Sequence, residues 1–121
     1  MSKKLVIIAG GRSYNNFDRM LEVVKEERPT FIIQGAAPGA DTLAGKVAQK
    51  LGIPYIAVPA LWDFFGKAAG HKRNALMANI LMALAGESEK KLIAFPGKVG
   101  TPMMVSIAKD LGIPVRKVDW E

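Results

Sequence analysis

Leu5-Val6-Ile7-Ile8-Ala9-Gly10-Gly11-Arg12 decides the fold, because an aliphatic run passes straight into a glycine turn that ends on a cation. The pattern recurs twice. Phe31-Ile32-Ile33 leads through Gln34 into Gly35-Ala36-Ala37-Pro38-Gly39-Ala40-Asp41, and Leu92-Ile93-Ala94 leads into Phe95-Pro96-Gly97-Lys98-Val99-Gly100-Thr101. Each turn opens into a stretch of helical character. A parallel sheet gathers the carboxyl ends of its strands on one edge, so the turns can converge there on one ligand. Glycine admits close backbone approach, and a helix start presents unpaired N–H groups and a positive dipole end. That combination suits an anion, most often a phosphate.

Working outward, short apolar runs predict strands over residues 4–9, 30–34, 54–58, 91–95 and 114–118. Helices are predicted over 16–28, 40–51, 70–84 and 100–111. Leu51-Gly52-Ile53-Pro54 and Leu111-Gly112-Ile113-Pro114 repeat one helix-to-strand phrase, with glycine as a left-handed cap and proline enforcing extension. Strict alternation of strand and helix gives an α/β fold with a doubly wound sheet of about five parallel strands and helices on both faces.

The 121 residues are expected to form a single domain spanning 1–121. Half of them are hydrophobic, enough for a core, yet a chain this short leaves room for a partner subunit to complete the burial. The predicted third helix is apolar nearly all round over residues 75–84. A homo-oligomer, dimer or higher, through that helix is one expectation; a core helix with a few exposed methionines is the other. No apolar run spans a membrane and no signal-peptide core is legible, so a cytoplasmic protein without membrane contact is expected. With no cysteine and one histidine, no metal site is expected. The net charge of +6 favours anionic partners, although the basic residues are spread along the chain and a solvated surface explains part of it.

Taken together, Gly10-Gly11-Arg12, the turn Gly35 to Asp41, Trp62, Gly70-His71-Lys72-Arg73-Asn74 and the turn Phe95 to Thr101 resemble the SLOG superfamily, in its YspA-like (cpYpsA-related) branch. The resemblance runs from residue 5 to about 118. It implies a Rossmann-like three-layer fold with a nucleotide pocket on the glycine edge, without one settled activity. The last turn is also similar to the Pro-Gly-Gly-x-Gly-Thr-x-x-Glu signature of cytokinin-activating phosphoribohydrolases, the LOG or lysine decarboxylase-like group. Lys98 replaces its second glycine and Met104 its catalytic glutamate. Methionine neither steadies an oxocarbenium-like charge nor activates water, so hydrolysis by that mechanism is not expected.

The candidate ligand-binding residues are Gly10, Gly11, Arg12, Gly35, Gly39, Asp41, Arg73, Asn74, Pro96, Gly97, Lys98, Gly100 and Thr101. Gly97, Gly100 and Thr101 can hold phosphate oxygens; Thr101 also reads as an N-cap, with Pro102 at the first helical position. Arg12 can clamp a phosphate, stack on a base, or simply sit at the surface. Asp41, the one carboxylate in the glycine turns, can hold ribose hydroxyls, act catalytically as a base, or cap a helix. Arg73 and Asn74 begin the third helix and face a ribose or second phosphate if they share the edge. His71 reads as solvent-facing. In the loop 59–67, Trp62 is expected at a base or an interface, and Phe64 as a plug of the sheet edge.

The leading expectation is a module that senses or sequesters a nucleotide or ADP-ribose-like ligand, with no cofactor required. The enzyme alternative is an N-glycosidase using Asp41. Single-stranded nucleic-acid binding ranks third: a related Rossmann-like family handles single-stranded DNA, but no basic run interleaved with aromatics is present in the sequence.

Overall fold

A computed structural model describes residues 2–120. In chain order it contains β1 (Lys4–Ala9), α1 (Phe17–Glu27), β2 (Phe31–Gln34), α2 (Ala40–Leu51), β3 (Tyr55–Ala57), a one-turn α3 (Trp62–Phe65), a 3-10 turn (Gly66–Ala68), α4 (Ala69–Ala85), β4 (Glu89–Ala94), α5 (Gly100–Asp110) and β5 (Val115–Lys117). The strands form one all-parallel sheet in the order β3-β2-β1-β4-β5. Its winding reverses between β1 and β4, where Val6 stands between Ile32 and Lys91.

Alternation along the strands divides the core. Val6, Ile8, Ile32 and Ile93 pack with Val23, Val24, Ala44 and Val47 of α1 and α2. Leu5, Ile7, Ile33 and Leu92 point the other way, onto Met77, Leu81, Met104 and Ala108 of α4 and α5. Helices therefore cover both faces, and β1, β2 and β4, whose ends carry the three glycine turns, are neighbours. Among the described residues no helix is long and apolar enough to cross a membrane.

The caps follow the sequence. Asn16 Oδ1 accepts the Arg19 N–H at 3.0 Å to start α1. Gly52 and Gly112 adopt φ of +68° and +74° before their prolines, as the repeated phrase predicts. Strands are trimmed by a residue at several ends, although the Ile32 N–H still reaches the Pro54 carbonyl and the Val58 N–H the Gln34 carbonyl.

Other expectations need correction. The N-caps of α2 and α5 are Gly39 and Val99. Asp41 is thus the second residue of α2, and Thr101 and Pro102 are the second and third of α5. Proline is tolerated there because first-turn N–H groups have no intrahelical acceptor. Phe64 plugs nothing: it is 81% exposed, on a loop that contains α3 and the 3-10 turn. Finally, α4 buries only one side within the chain, leaving Leu76 and Leu84 about half exposed at 50% and 56%.

Towards the amino edge of the sheet, Glu27 at the end of α1 is buried among cations. Lys4 Nζ and Lys91 Nζ lie 2.6 and 2.8 Å from Oε1, and Arg116 Nη1 lies 2.7 Å from Oε2. Burial alone would raise its pKa, but the hydrogen bonds from Lys4, Lys91 and Arg116 outweigh it and bring the carboxyl down to about 2.

Candidate functional site

The three glycine turns meet because each lacks side chains where the others pass. A Cβ at Gly39, whose φ is +81°, would collide with the carbonyl oxygens of Gly11 and Arg12. A Cβ at Gly11 would come within 3.0 and 3.1 Å of the Pro96 oxygen and Gly97 Cα. Hydrogen bonds complete the junction: the Ala40 N–H donates to the Gly11 carbonyl at 3.1 Å, and the Gly11 N–H to the Pro96 carbonyl at 2.8 Å. The turns are one interlocked unit, and the Gly11 amide is engaged within it.

The start of α4 ties that unit from the opposite face. Arg73 Nη1 donates to the Gly35 carbonyl and Nε to Asn74 Oδ1 at 2.9 Å. Buried Asn74 in turn donates from Nδ2 to the Gly100 carbonyl at 3.3 Å. Two consecutive side chains thus span the turns after β2 and β4. Burial lowers the pKa of Arg73, but a guanidinium stays charged.

Asp41 lies under the β2 turn, buried, with Oδ2 accepting the Ala37 N–H at 3.2 Å. Burial raises its pKa to about 6, against the pull of the Ala37 amide, the Arg73 charge, the Gly35 amide and the Arg12 charge. A carboxyl that titrates near neutrality beside two guanidiniums can exchange a proton with a ligand or water.

On the solvent side, Arg12, Lys98 and Gly100 are exposed. Gly100 and Thr101 head α5 with N–H groups that have no intrahelical acceptor. A Cβ at Gly100 would meet nothing within 4 Å, so the helix start is open there, whereas Thr101 is buried with its hydroxyl against Gly97. The guanidinium carbon of Arg12 stands 5.8 Å from the Trp62 ring centre, and Trp62 packs on Gly70. Trp62 therefore belongs to the same edge.

His71 is exposed, with Nδ1 3.1 Å from the Met103 sulfur, and no metal-holding group of three acidic, His or Cys residues exists among the described residues. Met104 is 1% exposed in the core beneath α5, so the position of the phosphoribohydrolase glutamate is a packing position here.

Sequence reasoning missed Gln34, which is buried and accepts the Ala36 N–H with Oε1, holding the β2 turn. Its signal was a glutamine closing an apolar strand. Tyr14 was missed as well. Its ring packs on Phe95 with centroids 5.1 Å apart, and its buried hydroxyl finds no hydrogen-bond partner among the described residues.

No curated protein matches the sequence. Among solved structures, DNA processing protein A (DprA) from Streptococcus pneumoniae superposes with a TM-score of 0.72 at 20% identity. The alignment covers 98% of this chain and 51% of that one, so the chain spans about half the length of that protein and shares its fold. The family model described as "YspA, cpYpsA-related SLOG family" matches residues 5–65, from β1 through α3 and including two of the three interlocked turns, and the chain belongs to that family.

Proposed function

We propose that this chain binds a nucleotide or nucleotide-derived phosphate ligand, of the ADP-ribose kind, at the carboxyl edge of its sheet, as a cytoplasmic sensing or sequestering domain. One observation carries the reading: three interlocked turns from adjacent strands present a helix start that is open at Gly100, next to the exposed Lys98 and with Arg12 exposed on the same edge. Phosphate oxygens take the exposed Gly100 amide at the positive end of α5, and Arg12 supplies a fork that matches a second phosphate. Thr101, buried against Gly97, packs the turn rather than meeting the ligand. Arg73 and Asn74 hold the turns in register; Gly10, Gly11, Gly35, Gly39, Pro96 and Gly97 shape the surface more than they donate to it. The half-exposed Leu76 and Leu84 on α4 support an accompanying homo-oligomer, tested by sedimentation of the wild type against Leu84→Ser.

The test is a thermal-shift panel of AMP, ADP, ADP-ribose, NAD and cyclic nucleotides. Ligand at about a hundred times its Kd adds about 2.7 kcal/mol, a rise of about 10 °C for a domain of this size. The expected result is a shift with one nucleotide class that is lost in Arg12→Ala. Flat traces across the panel refute the reading.

The protonation behaviour of Asp41 favours a second reading, N-glycosidic cleavage with Asp41 as acid or base. Turnover abolished in Asp41→Asn with binding retained supports it; absence of turnover in the wild type removes it.

A further inference from the structure

We infer that the carboxyl edge takes a single-stranded nucleic acid, with bases stacked on the rings of the α3 segment and phosphates on the cations beside them. This rests on the phosphate-ligand reading above and narrows the ligand to a polymer. Trp62 and Phe65 are 47% and 46% exposed, and Phe64 more so. Three large rings left in water within four residues, beside a phosphate-competent edge, form a surface that asks for a partner.

Charge identifies the partner. The Arg12 guanidinium lies over Trp62, and Lys72 Nζ lies 4.9 Å from the Phe65 ring centre. Between residues 59 and 73 the chain carries Lys67, Lys72 and Arg73 against a single carboxylate, Asp63. A second copy of this chain would bring the same positive charge to the patch and be repelled. A polyanion that also carries flat π faces satisfies rings and cations together, as in stacking platforms that follow a strand without reading its sequence. A mononucleotide needs one ring face; the α3 segment offers three exposed rings, two of them, Phe64 and Phe65, with centres 6.4 Å apart. The basic and aromatic residues do not interleave along the sequence, but they do in space, because Arg12 comes from the β1 turn and Lys72 from α4.

The experiment is fluorescence anisotropy of the full chain with labelled oligo-dT and oligo-dA of roughly 15 nucleotides, with duplex DNA and inorganic polyphosphate as competitors. Both strands are expected to bind. Trp62→Ala and Phe65→Ala should each weaken binding by about fivefold to a hundredfold with unchanged circular dichroism, and Trp62→Phe and Phe65→Tyr should restore most of it. Lys72→Ala should lower the slope of log affinity against log salt by about one. Alanine variants that bind like the wild type, or displacement by polyphosphate as effective as by a strand, overturn the inference. A thermal shift with mononucleotides and no tighter binding of strands overturns it and leaves the nucleotide site standing. If neither mononucleotide nor strand binds, both readings fall. Dimerisation abolished by Phe64→Ser in a chain that binds no strand reassigns the patch to a second copy and overturns the inference.

Discussion

Two buried carboxylates, at opposite edges of one sheet, are treated in opposite ways. At the amino edge Glu27 receives three cationic groups within 2.8 Å and ionises more readily than a free glutamate. At the carboxyl edge Asp41 has an amide at 3.2 Å and guanidiniums that act at longer range, and it holds its proton up to about pH 6. Burial is shared, so burial alone does not mark function. The number of charges provided at contact distance separates an ionised brace from a carboxyl that keeps its proton into mildly acidic solution.

Breaking the brace should have the largest effect. Glu27→Gln leaves Lys4, Lys91 and Arg116 without their shared counter-ion, and removing one partner of a buried pair costs about 3–5 kcal/mol. Urea unfolding at pH 7 should show that loss; a change below about 1 kcal/mol would place Glu27 among ordinary surface charges.

The reverse sign is expected at the other edge. Asp41→Asn removes a poorly compensated buried charge and should stabilise the chain at pH 7 by about 1–3 kcal/mol, since each tenfold shift in proton affinity is worth about 1.4 kcal/mol. Destabilisation by the same substitution would put Asp41 in the same class as Glu27.

The pH profile sharpens the contrast. Asp41 has a folded pKa above its unfolded value, so its contribution is fully present below about pH 3.8 and is lost as pH rises through about 6. Glu27 has a depressed pKa, so its contribution is present above about pH 4.5 and is lost as pH falls through about 2. Melting temperature followed from pH 3 to 8 should therefore have a falling limb between about 4 and 6 that disappears in Asp41→Asn and persists in Glu27→Gln.

The smallest effect on stability is expected at Arg12. Arg12→Ala removes an exposed side chain and should leave unfolding within about 0.5 kcal/mol of wild type. Its effect should fall on the ligand-induced thermal shift alone.

Much of this architecture was legible before any coordinates. Aliphatic runs closed by glycine located β1, β2 and β4, and the runs after each Gly-Ile-Pro located β3 and β5. Gly52 marked the end of α2 to the residue and Gly112 that of α5 to within one. The interlocking of the turns was only half visible. The glycines read as room for a phosphate, whereas Gly11 and Gly39 are chiefly room for one another. Glu27 was not legible at all: it stands in Glu26-Glu27-Arg28, a stretch that reads as solvated charge, and its partners Lys4, Lys91 and Arg116 arrive from three strands. The Arg12–Trp62 and Lys72–Phe65 pairs were hidden for the same reason. Linear spacing reports neighbours on one element, not meetings between elements.

The bond between the Gly11 amide and the Pro96 carbonyl has a consequence for the history of each molecule. It joins the first turn to the last across the reversal of the sheet, so no contiguous fragment ending before β4 possesses the complete edge. During synthesis the chain must present its fourth strand and the head of α5 before this edge exists. Ligand-dependent resistance to protease should therefore appear abruptly, once nascent chains include the head of α5, and not by increments as each turn is made.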